Sequence, residues 1–249
     1  MNLTNLLTLD NHQNKQQQCN FAHAVVVQND SSAHPGMVKV QYTLMGDEKN
    51  ITKFIPCLSS SAGTDHGSYC CPEIGDQVVV CFMDNNQESP VVMGCLYPAG
   101  SDVIGDNFDS KNCKKAIKTK GGFECTIEDE EGKQYVEIKT KSGSKIRIDD
   151  GESCVTISDK NKKNYLTLSL SNGNIEIVAD KNITLKAGSA ELSLSADTDS
   201  INLSAAQISL ESSRSMNVSS NNMLKVEGGM TTLEGRQSLT VSGGMVRIN

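Results

Sequence analysis

The chain has 249 residues, no Trp and only 4% aromatic residues, which favours a narrow structure of small aliphatic side chains over a wide globular core. Its formal net charge of −7 argues against a general nucleic-acid binder. Residues 1–110 carry 4 Lys and Arg against 12 Asp and Glu, a balance of −8, whereas residues 111–249 carry 19 against 18, a balance of +1. We therefore expect two regions with different roles.

Residues 1–20 are polar and rich in Gln and Asn, and we expect an N-terminal arm there. No basic segment followed by an apolar run marks a secretory signal, and no stretch approaches the roughly 20 apolar residues that span a bilayer. We therefore expect the protein to be made and assembled in the cytoplasm. The chain has nine cysteines, an odd number, and cytoplasmic synthesis favours free thiols.

Residues 21–97 contain five short apolar segments that are separated by turn residues. The strand candidates are Ala24–Val27, Val38–Val40, Phe54–Ile55, Val78–Phe82 and Val91–Met93. Five strands within so short a region predict a small closed barrel of the OB type. Residues 98–115 are expected to form a linker to the next region.

From Val136 onward, pairs of aliphatic residues separated by one polar residue recur to the end of the chain. The first unit is Val136-Glu-Ile138, the last is Val246-Arg-Ile248, and the 14 units follow one another with a mean step of about 8.5 residues. Gly, Ser, Asn and Asp lie between the units and are turn residues. The alternation of period two predicts that each unit is a short strand with one buried face.

A step of this length holds one strand and one corner. A full coil of a single-chain parallel β-helix has about three strands and needs about twice as many residues. We therefore predict that residues 116–249 form a triple-stranded intertwined β-helix, a needle built by three copies of the chain, so that the whole is an all-β homotrimer. An ordinary antiparallel meander or sandwich is the alternative.

Four segments, in one order, carry a resemblance to a known family. They are Gly36-Met-Val-Lys-Val40, Ala62-Gly63, Pro72-Glu-Ile-Gly-Asp-Gln-Val78 and Pro90-Val-Val-Met-Gly-Cys-Leu-Tyr97. They resemble the OB domain of central spikes in contractile machines, namely VgrG proteins of type VI secretion and baseplate spikes of contractile phages. Met37 stands where the family usually has Arg, and no large hub domain precedes the OB region. The chain is therefore similar to a short form of spike whose hub is a separate protein.

The resemblance implies a structural, non-enzymatic spike of a phage tail, tailocin, type VI system or extracellular injection particle, expelled on contraction. Its OB collar would dock on the hub and tail tube, and its needle would puncture the target membrane. Needle-core positions are expected at Ile201, Leu203, Ile208, Leu210 and Val218. A conical tip protein of the PAAR type is expected to contact Gly244, Met245, Val246, Arg247, Ile248 and Asn249. A trimeric adhesin like a tail fibre and a cell-wall-degrading enzyme are the alternatives.

No residue pattern points to catalysis, a cofactor or a metal. The cysteines of the OB region lack the C-x₂₋₄-C pairs of structural zinc sites, and we expect them to be small buried apolar residues. Asp65-His66 has no accompanying nucleophile motif. Some needles of the family bind iron at the tip through His-x-His, but no His follows His66 here. The acidic OB region also lacks the basic, aromatic face that binds nucleic acid.

Overall fold

The computed structural model describes residues 21–43 and 50–248. The expected arm at 1–20 and the predicted tip residue Asn249 lie outside the described residues. The chain divides into two compact units, one ending at Ile177 and the other beginning at Val178. Each unit is described separately.

The first unit opens with a five-stranded antiparallel sheet in the order β3-β2-β1-β4-β5. The strands are β1 Phe21–Gln28, β2 Met37–Tyr42, β3 Ile55–Pro56, β4 Gln77–Phe82 and β5 Pro90–Leu96, and a single 3₁₀ turn, Met83–Asn85, follows β4. All five strands predicted from the sequence are present. The sheet curls until its edges meet, and the Leu58 amide donates a hydrogen bond of 2.7 Å to the Val92 carbonyl. This curled half-barrel agrees with the predicted OB fold.

The core of this half-barrel consists of small aliphatic side chains, as the scarcity of aromatic residues predicts. Every second residue of β1, β2 and β4 points inward, because side chains alternate between the two faces of a strand. The buried cluster comprises Ala24, Val26, Val38, Val40, Ile55, Val78, Val80 and Val92. Tyr42, Cys57 and Cys71 pack against this cluster and are only partly buried.

A helix, α1 Asp102–Asn107, lies within the expected linker, and a seven-stranded antiparallel sheet follows it. The strands of that sheet are β6 Lys114–Lys118, β7 Glu124–Glu128, β8 Tyr135–Lys139, β9 Lys145–Asp149, β10 Cys154–Ser158, β11 Tyr165–Ser169 and β12 Asn174–Val178. The second unit contains a three-stranded antiparallel sheet of β13 Asn182–Ala187, β14 Ala190–Ser195 and β15 Ser200–Ser204.

The repeat predicts these strands closely, and the structure decides how they pair. Each of the eight units from Val136 to Leu203 lies within one strand of its own, from β8 to β15. Within each sheet the strands pair with their sequence neighbours in the same chain, which is the meander that was the alternative interpretation. Pairing between sequence neighbours satisfies the backbone hydrogen-bonding groups of these strands within one chain.

The last six units behave differently from the first eight. Residues 205–248 are all described, and none of them belongs to a helix or a strand. The strands expected at Ile208–Leu210 and at the five later units are therefore not formed by one chain. Their alternation is the same as in the first eight units, so alternation by itself does not determine that a strand forms.

Candidate assembly surface

The seven-stranded sheet has one face that is almost wholly aliphatic. The second and fourth residues of each strand share this face, and strand register aligns them in two cross-strand rows. One row is Cys125, Ile138, Ile146, Ile157 and Leu166, and the other is Ile127, Val136, Ile148, Val155 and Leu168. We call this surface the aliphatic face. Sequence analysis missed its first strands, because Lys115 and Cys125 interrupt the aliphatic pattern in β6 and β7.

Most of the isoleucines of the aliphatic face are exposed in the single chain, whereas Val155, Leu166 and Leu168 are half-buried. Ile117 is 72% exposed, Ile148 is 55% exposed and Ile175 is 69% exposed. Contiguous exposed apolar surface of this kind marks a site of interaction with another protein or a membrane. The aliphatic face is therefore the best candidate for a functional surface among the described residues.

The three-stranded sheet of the second unit repeats this arrangement. Ile183 pairs with Leu194 and Leu194 with Ile201, while Leu192 pairs with Leu203, so these side chains share one face. The predicted core residues Ile201 and Leu203 both lie on it, and both are exposed in the single chain. Asn202 pairs with Ser193 on the opposite face.

The other predicted positions are not gathered into a surface. Ile208, Leu210 and Val218 lie in the segment 205–248, which the structure describes without a strand, and all three are exposed. The predicted tip contacts Gly244, Met245, Val246, Arg247 and Ile248 lie in the same segment and are also exposed. Their roles as needle core and tip contact stay predictions.

The opposite face of the seven-stranded sheet carries a network of charged residues. Glu137 accepts from Lys145 at 3.0 Å and from Arg147 at 3.5 Å. Arg147 also binds the Asp149 carboxylate at 2.6 Å, and its guanidinium carbon lies 3.6 Å from the centre of the Tyr135 ring. Sequence analysis did not find this network, although Glu137 and Arg147 face each other directly across β8 and β9.

Asp149 is the most buried carboxylate of this network. It is only 4% exposed, and its carboxylate accepts from the amide of Glu152 as well as from Arg147. Burial acts to raise the pKa of Asp149, but these hydrogen bonds and the charge of Arg147 outweigh burial and hold the pKa below its usual value. Ion pairs and the Glu152 amide thus keep Asp149 ionised on the face opposite to the aliphatic face.

Among the described residues, the cysteines are reduced thiols and the contact between His66 and Asp65 is exposed. Burial, together with the neighbouring Cys71 thiol, raises the pKa of Cys57 to about 11, so its thiol is a poor nucleophile at neutral pH. None of the eight cysteines among the described residues is in a disulfide. His66 contacts Asp65 at 3.0 Å in an exposed loop.

The described residues also contain neither a metal-binding group nor a membrane helix. No group of three or more His, Cys, Asp or Glu side chains within residues 21–43 and 50–248 is placed to hold a metal ion. Over the same residues, no helix has the length and apolar character that crossing a bilayer requires.

Comparison with known proteins points to the OB region. Residues 22–97 match the family model of the type VI secretion system/phage-baseplate injector OB domain. Two spike proteins of the type VI secretion system of Pseudomonas aeruginosa, VgrG5 and VgrG4b, are 30% and 28% identical to the chain over 110 residues. These alignments cover 41% of the chain and 14% of each relative, so the chain spans only a small part of the relatives' length.

Proposed function

Because residues 22–97 match the injector OB domain and the chain is similar to VgrG spike proteins, we propose that it is the structural central spike of a contractile machine. The observation that supports this role most directly is the aliphatic face. A sheet with exposed Ile and Val side chains on one face and buried ion pairs on the other needs a partner that covers the apolar side.

Two further copies of the same chain are the partner that fits this face. Three sheets around a threefold axis would bring three aliphatic faces together into one dry core, with the network of Glu137, Arg147 and Asp149 on the outside. Each buried Ile or Leu side chain would contribute about 1.5–3 kcal/mol relative to its exposed state. In a closed threefold ring each chain presents the same two patches, one to each neighbour.

The last six repeat units fit an intertwined needle. Residues 205–248 keep the alternation of a strand but belong to no strand of the described structure. In the proposed trimer these segments pair with the equivalent segments of the other two chains, and Ile208, Leu210 and Val218 enter the core. The strand edges at residues 244–249 would then be open to a tip protein of the PAAR type, by strand addition.

The remaining roles follow from the OB half-barrel. We propose that three OB half-barrels form a collar that docks on a separate hub protein and the tail tube. The machine would be assembled in the cytoplasm, and contraction would drive the needle through the target membrane. The proposed spike acts without catalysis. The alternative functions are a tail-fibre-like adhesin and a cell-wall-degrading enzyme.

Light scattering on the purified full chain tests the proposal. We expect three times the chain mass of 26.8 kDa, about 80 kDa, and a species that survives SDS without boiling. A monomer of 26.8 kDa would contradict the trimer. Hydrolysis of peptidoglycan by the purified protein would favour the cell-wall-degrading enzyme. A trimer that binds a cell-surface receptor but does not rupture lipid vesicles would favour the adhesin.

A further inference from the structure

We propose that the charged face of the seven-stranded sheet contains a binding site for the phosphate group of a small molecule, between β9, β10 and β11. A cavity of about 440 Å³ lies at this point. It is lined by Lys145, Arg147, Cys154, Thr156, Ser158, Lys162, Tyr165 and Thr167. The site lies on the face opposite to the aliphatic one, so it does not depend on the proposed trimer.

Strand register explains why these side chains meet. Lys145, Ser158 and Tyr165 are directly opposite one another across β9, β10 and β11. Thr156 and Thr167 form the next row, in line with Arg147. The floor of the cavity is therefore a patch of hydroxyl groups with cationic side chains beside it.

Ser158 is the observation that points to a ligand. Its side chain is almost fully buried, with 6% of the residue exposed, and its Oγ atom has no hydrogen-bond partner among the described residues. Buried hydroxyl groups are nearly always hydrogen-bonded, because an unsatisfied one loses its hydration without replacement. A ligand atom in the cavity that accepts a hydrogen bond would satisfy this hydroxyl.

The charges around the cavity favour an anion. Lys145, Arg147 and Lys162 line it, and no carboxylate does. The carboxylates nearest to these cations are already bound. Glu137 pairs with Lys145 and Arg147, and Asp149 pairs with Arg147. Lys145 and Arg147 thus already neutralise carboxylates, so the ammonium group of Lys162 supplies the net positive charge for a ligand.

Lys162 is held at the cavity by the turn between β10 and β11. Asp159 fixes that turn, because its carboxylate accepts from the backbone amides of Asn161, Lys163 and Asn164 at 2.9–3.1 Å. Lys162 adopts a left-handed backbone conformation with φ of 55°. The carboxylate nearest to Lys162 in sequence is therefore occupied by main-chain donors.

A phosphate group matches this set of donors. Its oxygens accept hydrogen bonds and carry negative charge, and Lys binds phosphate as a point charge beside neutral hydroxyl donors. A cation would find no free carboxylate on the lining, and an apolar ligand would leave Ser158 unsatisfied. The group could be free inorganic phosphate or a phosphate ester such as a lipid headgroup, and these sources share the same chemistry at the site.

Thermal unfolding of the full chain at constant ionic strength tests the site, with inorganic phosphate and glycerol 3-phosphate as separate probes and chloride as the reference. We expect phosphate or its ester to raise the melting temperature in a saturable manner. Lys162→Gln should weaken this binding by about tenfold. Lys160→Gln, an exposed Lys in the same turn that does not line the cavity, should leave it unchanged.

Ser158→Ala is a second test, because it should change the melting temperature of the ligand-free protein as well as the response to phosphate. Without a ligand it should raise the melting temperature, since it removes an unsatisfied buried hydroxyl, and it should abolish the phosphate-dependent shift. Stabilisation by inorganic phosphate assigns the site to the free anion, and stabilisation by glycerol 3-phosphate alone assigns it to an ester. No saturable shift with either probe, or an equal loss in Lys160→Gln and Lys162→Gln, would overturn the proposal.

Discussion

Ile148 and Asp149 are neighbours in β9, yet the aliphatic side chain is 55% exposed while the carboxylate is 4% exposed. This is the reverse of the usual distribution, in which Ile is buried and Asp lies in water. The inversion is explained if the aliphatic face is covered in the assembled protein, while the carboxylate is stabilised within one chain by Arg147 and the Glu152 amide.

The orientation of the second sheet can be tested at two neighbouring residues. In the proposed trimer, Ile201→Asp places three carboxylates in a dry core, where each ion loses several kcal/mol of solvation and repels the others. Asn202→Asp places the same charge on the opposite face and should cost about 0.5 kcal/mol or less per chain. Trimer melting at neutral pH should therefore fall strongly only for Ile201→Asp.

The same pair of variants can contradict the model of the needle. Greater damage from Asn202→Asp would mean that the strand faces are exchanged in the assembly, as after a register slip of one residue. Equal and small effects would mean that β15 does not contribute to a core. For Ile201→Asp we also expect partial recovery at low pH, since protonation removes the buried charges.

Asp149 should make stability depend on pH in the acidic range. Its pKa in the folded chain lies below the unfolded value of about 3.9, so its contribution is complete above about pH 5 and is lost as the pH falls through the folded pKa. Asp149→Asn should lower the free energy of unfolding by about 1–3 kcal/mol at pH 7. The difference from wild type should shrink below pH 4. Urea unfolding from pH 7 down to pH 3 measures both effects.

Asp150→Asn is the matched control for this experiment. Asp150 is the next residue in the chain and is exposed. Its replacement removes the same charge from the molecule without removing the contacts to Arg147 and the Glu152 amide. Equal losses in the two variants would mean that overall charge, and not the buried contacts of Asp149, controls stability.

Cys57 should be among the slowest of the thiols to react with an alkylating reagent. With a pKa of about 11, on the order of one in a thousand Cys57 side chains is ionised at pH 8. Its rate should keep rising up to about pH 11, where ionisation is half complete. Cys70 is exposed and serves as the internal reference. Mass spectrometry after timed iodoacetamide treatment measures the alkylation of both residues. Equal alkylation rates of Cys57 and Cys70 at pH 8, or a stoichiometric disulfide at Cys57, would contradict this expectation.

Gly151 should be intolerant of a side chain for a steric reason. A Cβ atom there would lie 2.7 Å from the carbonyl oxygen of Gly132, in the turn between β7 and β8. Because both atoms belong to backbone turns, relief needs main-chain movement, and Gly151→Ala should cost about 1–3 kcal/mol. Gly121→Ala is the control, since its Cβ would meet only Thr119 Oγ1 at 3.9 Å. Comparable melting temperatures for the two variants would mean that the turns do not pack as described.

Within residues 136–204 the local pattern predicts which residues form strands. Alternation of period two is a property of a few consecutive residues, so Val136-Glu-Ile138 and Ile201-Asn-Leu203 identify strands and their two faces without knowledge of the rest of the fold. The five strands of the OB region are predicted from another local signal, which is short apolar segments between turn residues. Their order along the chain, together with segments such as Pro72–Val78, was also sufficient to identify the family to which residues 22–97 are matched.

Only the tertiary structure decided which strands pair and which side chains meet. Hydrogen bonding between strands is non-local, so the alternation at Ile208-Ser-Leu210 is as regular as that at Ile201-Asn-Leu203, yet only the second is a strand within one chain. The contact between Arg147 and Glu137 depends in the same way on the register of β8 and β9, and the surroundings of the Ser158 hydroxyl depend on the register of β9, β10 and β11. Alternation determines that a strand has two faces, but the partners available in space determine what each face contacts.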